Sequence, residues 1–213
     1  NRGFITLQRI DWNTPAHILE KLLRYEAVHA INGWEDLRRR LAADRRCFAF
    51  FHPALPDEPL IFVEVALVRG LATAVQPLLD PASQIGDPVR ADTAIFYSIS
   101  DCQPGLHGIS FGNFLIKQVA AELQDELGKL KTFATLSPVP GFRPWLEANA
   151  PRLAAVGGGS ALASWVEKTK GQTGRRAVAP GEEVRELLLQ LCAHYFTRER
   201  RADGRPLDAV ARF

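Results

Sequence analysis

The sequence predicts an α+β protein in which a mixed β-sheet is flanked by helices. Three observations indicate this fold class: two apolar runs joined by turn residues, a strand–loop–helix–strand succession in the middle of the chain, and amphipathic segments near both ends. The 213 residues suffice for one large domain, or for one domain with a short appendage.

The first segment with a clear pattern is helical and covers residues 14–43. Thr14 and Pro15 supply a cap and a first-turn proline, and apolar residues then recur near a helical period. Gly33 interrupts the pattern, so we expect two helices, the second over residues 34–41.

A β-hairpin follows the two helices. Residues 47–51 are a compact apolar run, and residues 60–68 alternate with a period of two residues. The eight residues between these runs are rich in proline, which is typical of a turn.

The middle of the chain combines a strand, a glycine-rich loop and a helix. Residues 93–100 (TAIFYSIS) predict a strand, residues 101–108 a loop, residues 110–127 a helix, and residues 132–136 another strand. Unpaired amide groups at a helix N-terminus bind anions, and glycines let the backbone approach them closely. The pattern fits a phosphate-binding loop, and it equally fits a glycine-rich turn without a ligand.

The tail is less regular. Residues 157–159 are three glycines that predict a hinge, and residues 169–181 are polar and predict a loop. Residues 182–196 predict an amphipathic helix, whose apolar stripe we expect to pack on the core or on another subunit.

Composition narrows the function classes. The net charge of +2, from 26 basic and 24 acidic residues, does not favour a nucleic-acid binder. Arginine runs at residues 38–40, 45–46 and 198–201 predict solvated faces, or else one run that meets the phosphates of an anionic coenzyme. No apolar stretch is long enough for a membrane span, so we expect no membrane partner.

The cysteines, the overall composition and the lack of methionine indicate the cellular compartment and whether the chain is part of a longer protein. The three cysteines, Cys47, Cys102 and Cys192, fit no metal or redox spacing, so we expect reduced thiols in a cytosol-like compartment. The alanine- and arginine-rich composition indicates a bacterial cytoplasmic protein. The chain contains no methionine, and we therefore expect it to be an internal piece of a longer protein.

The loop resembles that of the GNAT acetyltransferase superfamily, in which a Q/R-x-x-G-x-G/A turn grips the pyrophosphate of coenzyme A. Residues 106–116 (LHGISFGNFLI) follow this shape, with Ser110 where many members have glycine. The spacing matches neither GxxxxGK[ST] nor the GxGxxG of dinucleotide-binding folds. The resemblance implies a GNAT-like fold.

Longer motifs resemble the malonyl-CoA decarboxylase family more specifically. They are YEAVH at residues 25–29, RRC at 45–47, AIFYSIS at 94–100, GNFLIK at 112–117 and LSPVPGF at 136–142. The resemblance is continuous over residues 2–145, is weak over residues 147–180, and resumes at residues 191–193 and 209–213.

The family resemblance implies an activity and a domain arrangement. Malonyl-CoA is decarboxylated to acetyl-CoA and CO₂ without a metal, biotin or another cofactor. Residues 1–43 would then be the end of an N-terminal helical domain together with entry helices, and residues 44–213 the GNAT-like catalytic domain, incomplete at its C-terminus. The resemblance also implies a homo-oligomer.

Site residues are carried over from the same motifs. Ser137 occupies the position of the family's catalytic serine, at the end of a strand and before a proline turn. The resemblance further implies a histidine that acts in protonation and directly follows the segment ending at Phe213, where this chain stops. None of the five histidines of the chain replaces it.

Substrate-binding residues are expected on the strand and loop that would face the coenzyme. Strand alternation puts Ser98 and Ser100 on one face and Tyr97 on the other, in the core. Ser98 and Ser100 would touch the thioester or carboxylate, or else be sheet serines with a backbone partner. The remaining predicted substrate-binding residues form the loop: His107, Gly108, Ile109, Ser110, Phe111, Gly112 and Asn113.

Two other functions stay open at this point. The same loop would serve an N-acyltransferase that moves an acyl group to an amine, although the sequence offers no clear general base for it. The chain would also suit a protein that binds malonyl-CoA without turning it over. The LSPVPGF motif favours the decarboxylase.

Overall fold

A computed structural model describes residues 4–106, 112–139, 141–153, 159–171 and 178–207, with the side chains of Gly112, Asn113 and Pro151 left out. It divides into two compact units, Asn1–Ser137 and Pro138–Phe213. Each unit is taken separately below.

The first unit is a five-stranded sheet with helices on both faces. In chain order its elements are β1 (Thr6–Ile10), α1 (Ala16–Tyr25), α2 (Trp34–Arg40), β2 (Arg45–Phe51), β3 (Ile61–Val68), α3 (Gln76–Leu79), β4 (Thr93–Asp101), α4 (Gly112–Glu126) and β5 (Thr132–Thr135). The strand order is β1-β2-β3-β4-β5. The pairs are antiparallel except for β4 and β5, which are parallel. The predicted α+β class, the hairpin and the helix after the loop are confirmed.

Alternation along the strands separates two cores. One face of β3, with Ile61, Val63 and Val65, packs against Leu115 and Val119 of α4. The opposite face, with Phe62, packs against α1 and α2 through residues such as Leu22 and Leu37. A smaller cluster around Tyr97 and α3 continues that second face toward the start of β4.

The structure differs from the sequence-based expectation at the start of this unit. Residues 6–10 were not expected to form a strand, yet β1 pairs with β2 along its whole length. The predicted boundary after Ala43 stays a prediction. In the structure, β1, α1 and α2 all belong to the Asn1–Ser137 unit.

The described residues of the second unit form three helices, α5 (Phe142–Leu153), α6 (Gly159–Lys168) and α7 (Glu182–Arg198). They share a core that includes Trp145, Leu162 and Tyr195. The predicted stripe of α7 does pack there, through Val184 and Tyr195, whereas α6 was not predicted. Residues 157–158 and 172–177, expected to be hinge and loop, lie outside the described part.

Candidate active site

The site begins where two parallel strands diverge. β4 has nine residues, but only Thr93 to Phe96 pair with β5. The last bond is donated by the Leu136 N–H to the Phe96 carbonyl, at 2.9 Å. Beyond it, within the described residues, Tyr97 to Asp101 have a strand neighbour only on the β3 side. On its β5 side, this half of β4 is therefore an edge of the described sheet.

A β-bulge marks the point of divergence. Glu64 pairs with Ser98 but Val65 pairs with Phe96, so Tyr97 is the extra residue of β4. Bulges reorient the following side chains and increase local twist. This bulge turns the end of β4 away from β5.

The bulge overturns one expectation based on alternation. Ile95 pairs with Ala66 and Ser98 with Glu64, and Ala66 and Glu64 share a face of β3. Tyr97 is buried beside Ile95 on that same face. Tyr97 and Ser98 therefore lie on one face of the sheet, and the prediction that Tyr97 points the other way was wrong, although its place in the core is confirmed.

Ser98 and Ser100 contact a buried carboxylate. The Ser98 hydroxyl lies 2.8 Å from both oxygens of Glu26, and the Ser100 hydroxyl lies 3.2 Å from one of them. Glu26 also accepts backbone N–H bonds from Val28 at 2.8 Å and His29 at 2.7 Å. The two serines thus have a protein partner, and their contact with a substrate stays a prediction.

Glu26 fastens the segment after α1 to the bulged part of β4. It is 8% exposed, and four uncharged donors surround it. A buried carboxylate is tolerated when donors replace its hydration. Sequence reasoning named the YEAVH motif but gave Glu26 no role, since nothing local shows that it faces residues 72 and 74 positions away.

A second buried carboxylate, Glu64, lies directly across from Ser98. One of its oxygens accepts a bond from Arg40 at 2.8 Å, and Arg40 also donates to Asp36 at 3.2 Å. Burial raises the pKa of Glu64 to about 7, an effect that Arg40 opposes and Glu26 reinforces. The other Glu64 oxygen has no hydrogen-bond partner among the described residues.

The glycine-rich loop joins the open end of β4 to α4. A short 3₁₀ turn, Pro104–Leu106, follows β4, and α4 begins at Gly112. Of the predicted loop residues, His107, Gly108, Ile109, Ser110 and Phe111 lie outside the described part, and only the helical backbone of Gly112 and Asn113 is described. A helix N-terminus does follow the loop, as the phosphate-binding prediction requires.

The other end of α4 is held by an ion pair. Arg46, at the second position of β2, donates to Glu126 through Nε at 3.0 Å and Nη2 at 2.6 Å. Arg9 of β1 adds a longer contact of 3.3 Å to the same carboxylate. Arg46 is buried, as are Arg39, Arg40 and Arg45. The expectation that these arginine runs are solvated faces was therefore wrong for these four residues.

Ser137 stands at the start of the divergence. It follows Leu136, the residue that makes the last bond to β4, and its side chain is exposed. The position at a strand end is confirmed. Pro140, three residues further along the sequence, lies outside the described part.

Three further observations concern metal binding, disulfides and membrane-spanning helices. Among the described residues, no group of three or more His, Cys, Asp or Glu side chains could hold a metal ion. No disulfide involves Cys47, Cys102 or Cys192 in the described part of the chain. Within the same residues, no helix has the length and apolar character needed to cross a membrane.

The fold and the diverging strands define the class: an α+β domain in which the open edge of β4 leads into a glycine-rich loop and a helix. The chain belongs to the malonyl-CoA decarboxylase family, because the family model described as "Malonyl-CoA decarboxylase C-terminal domain" matches residues 3–213.

Individual relatives agree with this assignment. The chain is similar to a malonyl-CoA decarboxylase structure from Agrobacterium vitis, with 54% identity and a TM-score of 0.85 over 100% of this chain and 53% of that one. A structure from Rhodopseudomonas palustris gives 51% identity and a TM-score of 0.83, covering 100% and 52%. The mitochondrial malonyl-CoA decarboxylase of Anser anser anser is 35% identical over 99% of this chain and 46% of its own length. The chain thus spans about half the length of these relatives.

Proposed function

We propose that the protein decarboxylates malonyl-CoA to acetyl-CoA and CO₂. The observation that carries this proposal is the family match over residues 3–213, which includes Ser137 at the point where β4 and β5 diverge. The relatives that are named malonyl-CoA decarboxylase are similar over nearly the whole of this chain.

The chemistry sets clear demands on the site. When the bond between C2 and the carboxylate breaks, its electron pair moves into the thioester, leaving an enolate and CO₂. Fixed hydrogen-bond donors must stabilise the negative charge on the thioester oxygen. An acid then protonates C2, which completes acetyl-CoA. The carboxylate must also lie out of the thioester plane, so that the breaking bond overlaps the π system.

The open half of β4 suits the pantetheine arm of the coenzyme. Its backbone groups on the β5 side are available to pair with the pantetheine amides, in the way an added strand would. The loop residues His107, Gly108, Ile109, Ser110, Phe111, Gly112 and Asn113 would contact the pyrophosphate at the start of α4. Ser98 and Ser100 would mainly hold this part of β4 in position through their hydrogen bonds to Glu26. A contact of either serine with the acyl group would be secondary.

Ser137 would lie beside the acyl end of a molecule bound along that edge. Its hydroxyl would hydrogen-bond the malonyl carboxylate, or organise the proton donor. The donor that the family resemblance implies is the histidine after Phe213.

We infer no metal, biotin or other cofactor, because the thioester itself accepts the electron pair. We also infer a homo-oligomer in the cytoplasm of a bacterium.

A Ser137→Ala variant tests the proposal. Malonyl-CoA is mixed with each protein without an acceptor amine, and acetyl-CoA is followed by mass spectrometry. We expect kcat to fall about 100-fold or more, as when a positioned polar group of the transition state is removed. Ser160→Ala, which changes an exposed serine of α6, should keep the activity. Malonyl-CoA left intact by the unmodified protein would contradict the decarboxylase assignment.

A further inference from the structure

Two buried arginines share one carboxylate at the opposite end of β4 from the loop. Arg39 makes a two-point contact with Asp44, at 2.7 and 3.0 Å. Arg45 reaches the same carboxylate at 3.0 Å. The three side chains are 3% to 6% exposed. A buried charge normally needs a partner of opposite sign, so this cluster carries one positive charge too many.

Arg45 retains a free donor. Its Nη groups donate to the carbonyls of Asp44 and Leu78, each at 3.0 Å. Its Nε has no hydrogen-bond partner among the described residues. Burial lowers the pKa of this guanidinium, and the charge of nearby Arg39 acts in the same direction. An anion in the cavity beside these arginines would offset the excess positive charge.

The cluster forms the wall of a cavity of about 580 Å³. Its charged lining consists of four arginines and two aspartates: Arg39, Arg45, Arg69, Arg90, Asp44 and Asp87. Arg69 and Arg90 are exposed at the rim. The volume lies within the range of roughly 300–1,000 Å³ that is usual for small-molecule sites.

The loop over residues 80–87 is tied to the same carboxylate. The Gly86 N–H donates to Asp44 at 2.9 Å, and Ser83 accepts a bond from Arg39 at 3.0 Å. The arginines and the cavity wall are therefore held in place before any ligand arrives, which lowers the entropic cost of binding.

We propose that this cavity binds the phosphate group of a small phosphorylated molecule. Arginine forks match phosphate oxygens in charge and geometry, and two rim arginines would meet the oxygens that the buried pair leaves free. The cavity is lined by Val68 and Ala91, next to the first residues of β4. The glycine-rich loop, which we propose contacts the coenzyme, follows the last residues of that strand, so the cavity is a separate site.

Inorganic phosphate is the probe. Its binding to the protein is measured by calorimetry and thermal unfolding, against chloride at equal ionic strength. We expect saturable binding that weakens about tenfold or more in Arg69→Ser/Arg90→Ser, because hydrogen bonds to a charged group are lost. Arg24→Ser/Arg185→Ser removes two exposed arginines elsewhere and should leave binding unchanged.

Two comparisons keep the test specific. A neighbouring basic cavity shares Arg69 and Arg90 with this one, and its lining includes two further basic residues, Lys129 and Lys131. Binding should therefore survive Lys129→Ser/Lys131→Ser, and it should also survive saturation with acetyl-CoA. Absence of saturable binding, loss in the lysine variant, or displacement by acetyl-CoA would each overturn the proposal.

Discussion

Glu26 and Glu64 lie beside the same serine of β4 but are stabilised in different ways. Glu26 accepts bonds from two serine hydroxyls and two backbone N–H groups. Glu64 has one charged partner, Arg40, and one oxygen without a partner among the described residues. A buried carboxylate loses its hydration. Several neutral donors can each replace part of that hydration, whereas in a single ion pair one contact must replace most of it. Removing one group should therefore disturb the Glu64 pair more.

The largest expected effect is that of Arg40→Met. Arg40 is 1% exposed, and its removal leaves Glu64 and Asp36 buried without their cation. We expect the free energy of unfolding in urea to fall by about 3–5 kcal/mol. Arg24→Met, at an exposed position of α1, serves as the control and should change it by less than about 0.5 kcal/mol.

The double variant Arg40→Met/Glu64→Gln separates charge from packing. It has the same loss of arginine volume, but the buried charge of Glu64 is gone. Much of the stability should return, because removing both partners costs less than removing one. If the single and double variants were equally destabilised, the loss of stability would come from lost arginine packing and not from an unpaired charge. That result would contradict the proposed contrast between Glu26 and Glu64.

Glu26→Ala should have an intermediate effect. The hydroxyls of Ser98 and Ser100 lie 3.4 Å apart and can still bond to each other. The two N–H groups of residues 28 and 29 lose their acceptor, so we expect a loss of about 1–3 kcal/mol in urea unfolding. Since Glu26 fastens the bulged part of β4, the KM for malonyl-CoA should rise more than kcat falls.

The control for Glu26 is Glu20→Ala, an exposed glutamate of α1. It should change neither stability nor KM. Ser98→Ala should reproduce part of the effect, about 1 kcal/mol, because it removes one donor of four. An unchanged KM in Glu26→Ala, together with a clear loss of stability, would restrict Glu26 to a purely structural role.

The extent to which sequence predicted this molecule follows from the range of the interactions involved. The β2–β3 hairpin, β4, α4 and β5 were predicted because their apolar periods and turn residues are local. β1 was missed because its five residues, TLQRI, are mostly exposed and carry no clear alternation. Its place in the sheet depends on pairing with β2, about 40 residues away.

The candidate site shows the same limit. Ser137 and the loop were found through motifs, which are short segments of sequence. The bulge at Tyr97 depends on the register between β3 and β4, and the burial of Arg39, Arg40, Arg45 and Arg46 depends on partners in other elements. No local sequence pattern reveals the bulge or the burial of these arginines. The arginine runs were therefore interpreted as solvent-exposed, and side chains were assumed to alternate strictly between the two faces of a strand.

A further expected effect is a pH dependence that belongs to Glu64. Burial raises the pKa of Glu64 to about 7 in the folded protein, above the 4.5 that is usual for a glutamate. Between these values the folded state binds the proton more tightly than the unfolded state, so stability decreases as pH rises from about 4.5 to about 7. The contribution of one proton is at most about 1.4 kcal/mol per pH unit.

Other groups titrate in or near this window, so the measurement is a difference. Burial lowers the pKa of His29, which makes the protein less stable as pH falls below 6.5 and opposes the Glu64 trend. Glu64→Gln removes only the Glu64 contribution. The stability of the variant relative to the unmodified protein, from urea unfolding at several pH values, should increase from pH 5 to pH 7.5. A difference that is constant across this range would mean that Glu64 stays ionised throughout, fully paired with Arg40, and that its unpartnered oxygen is solvated better than its burial indicates.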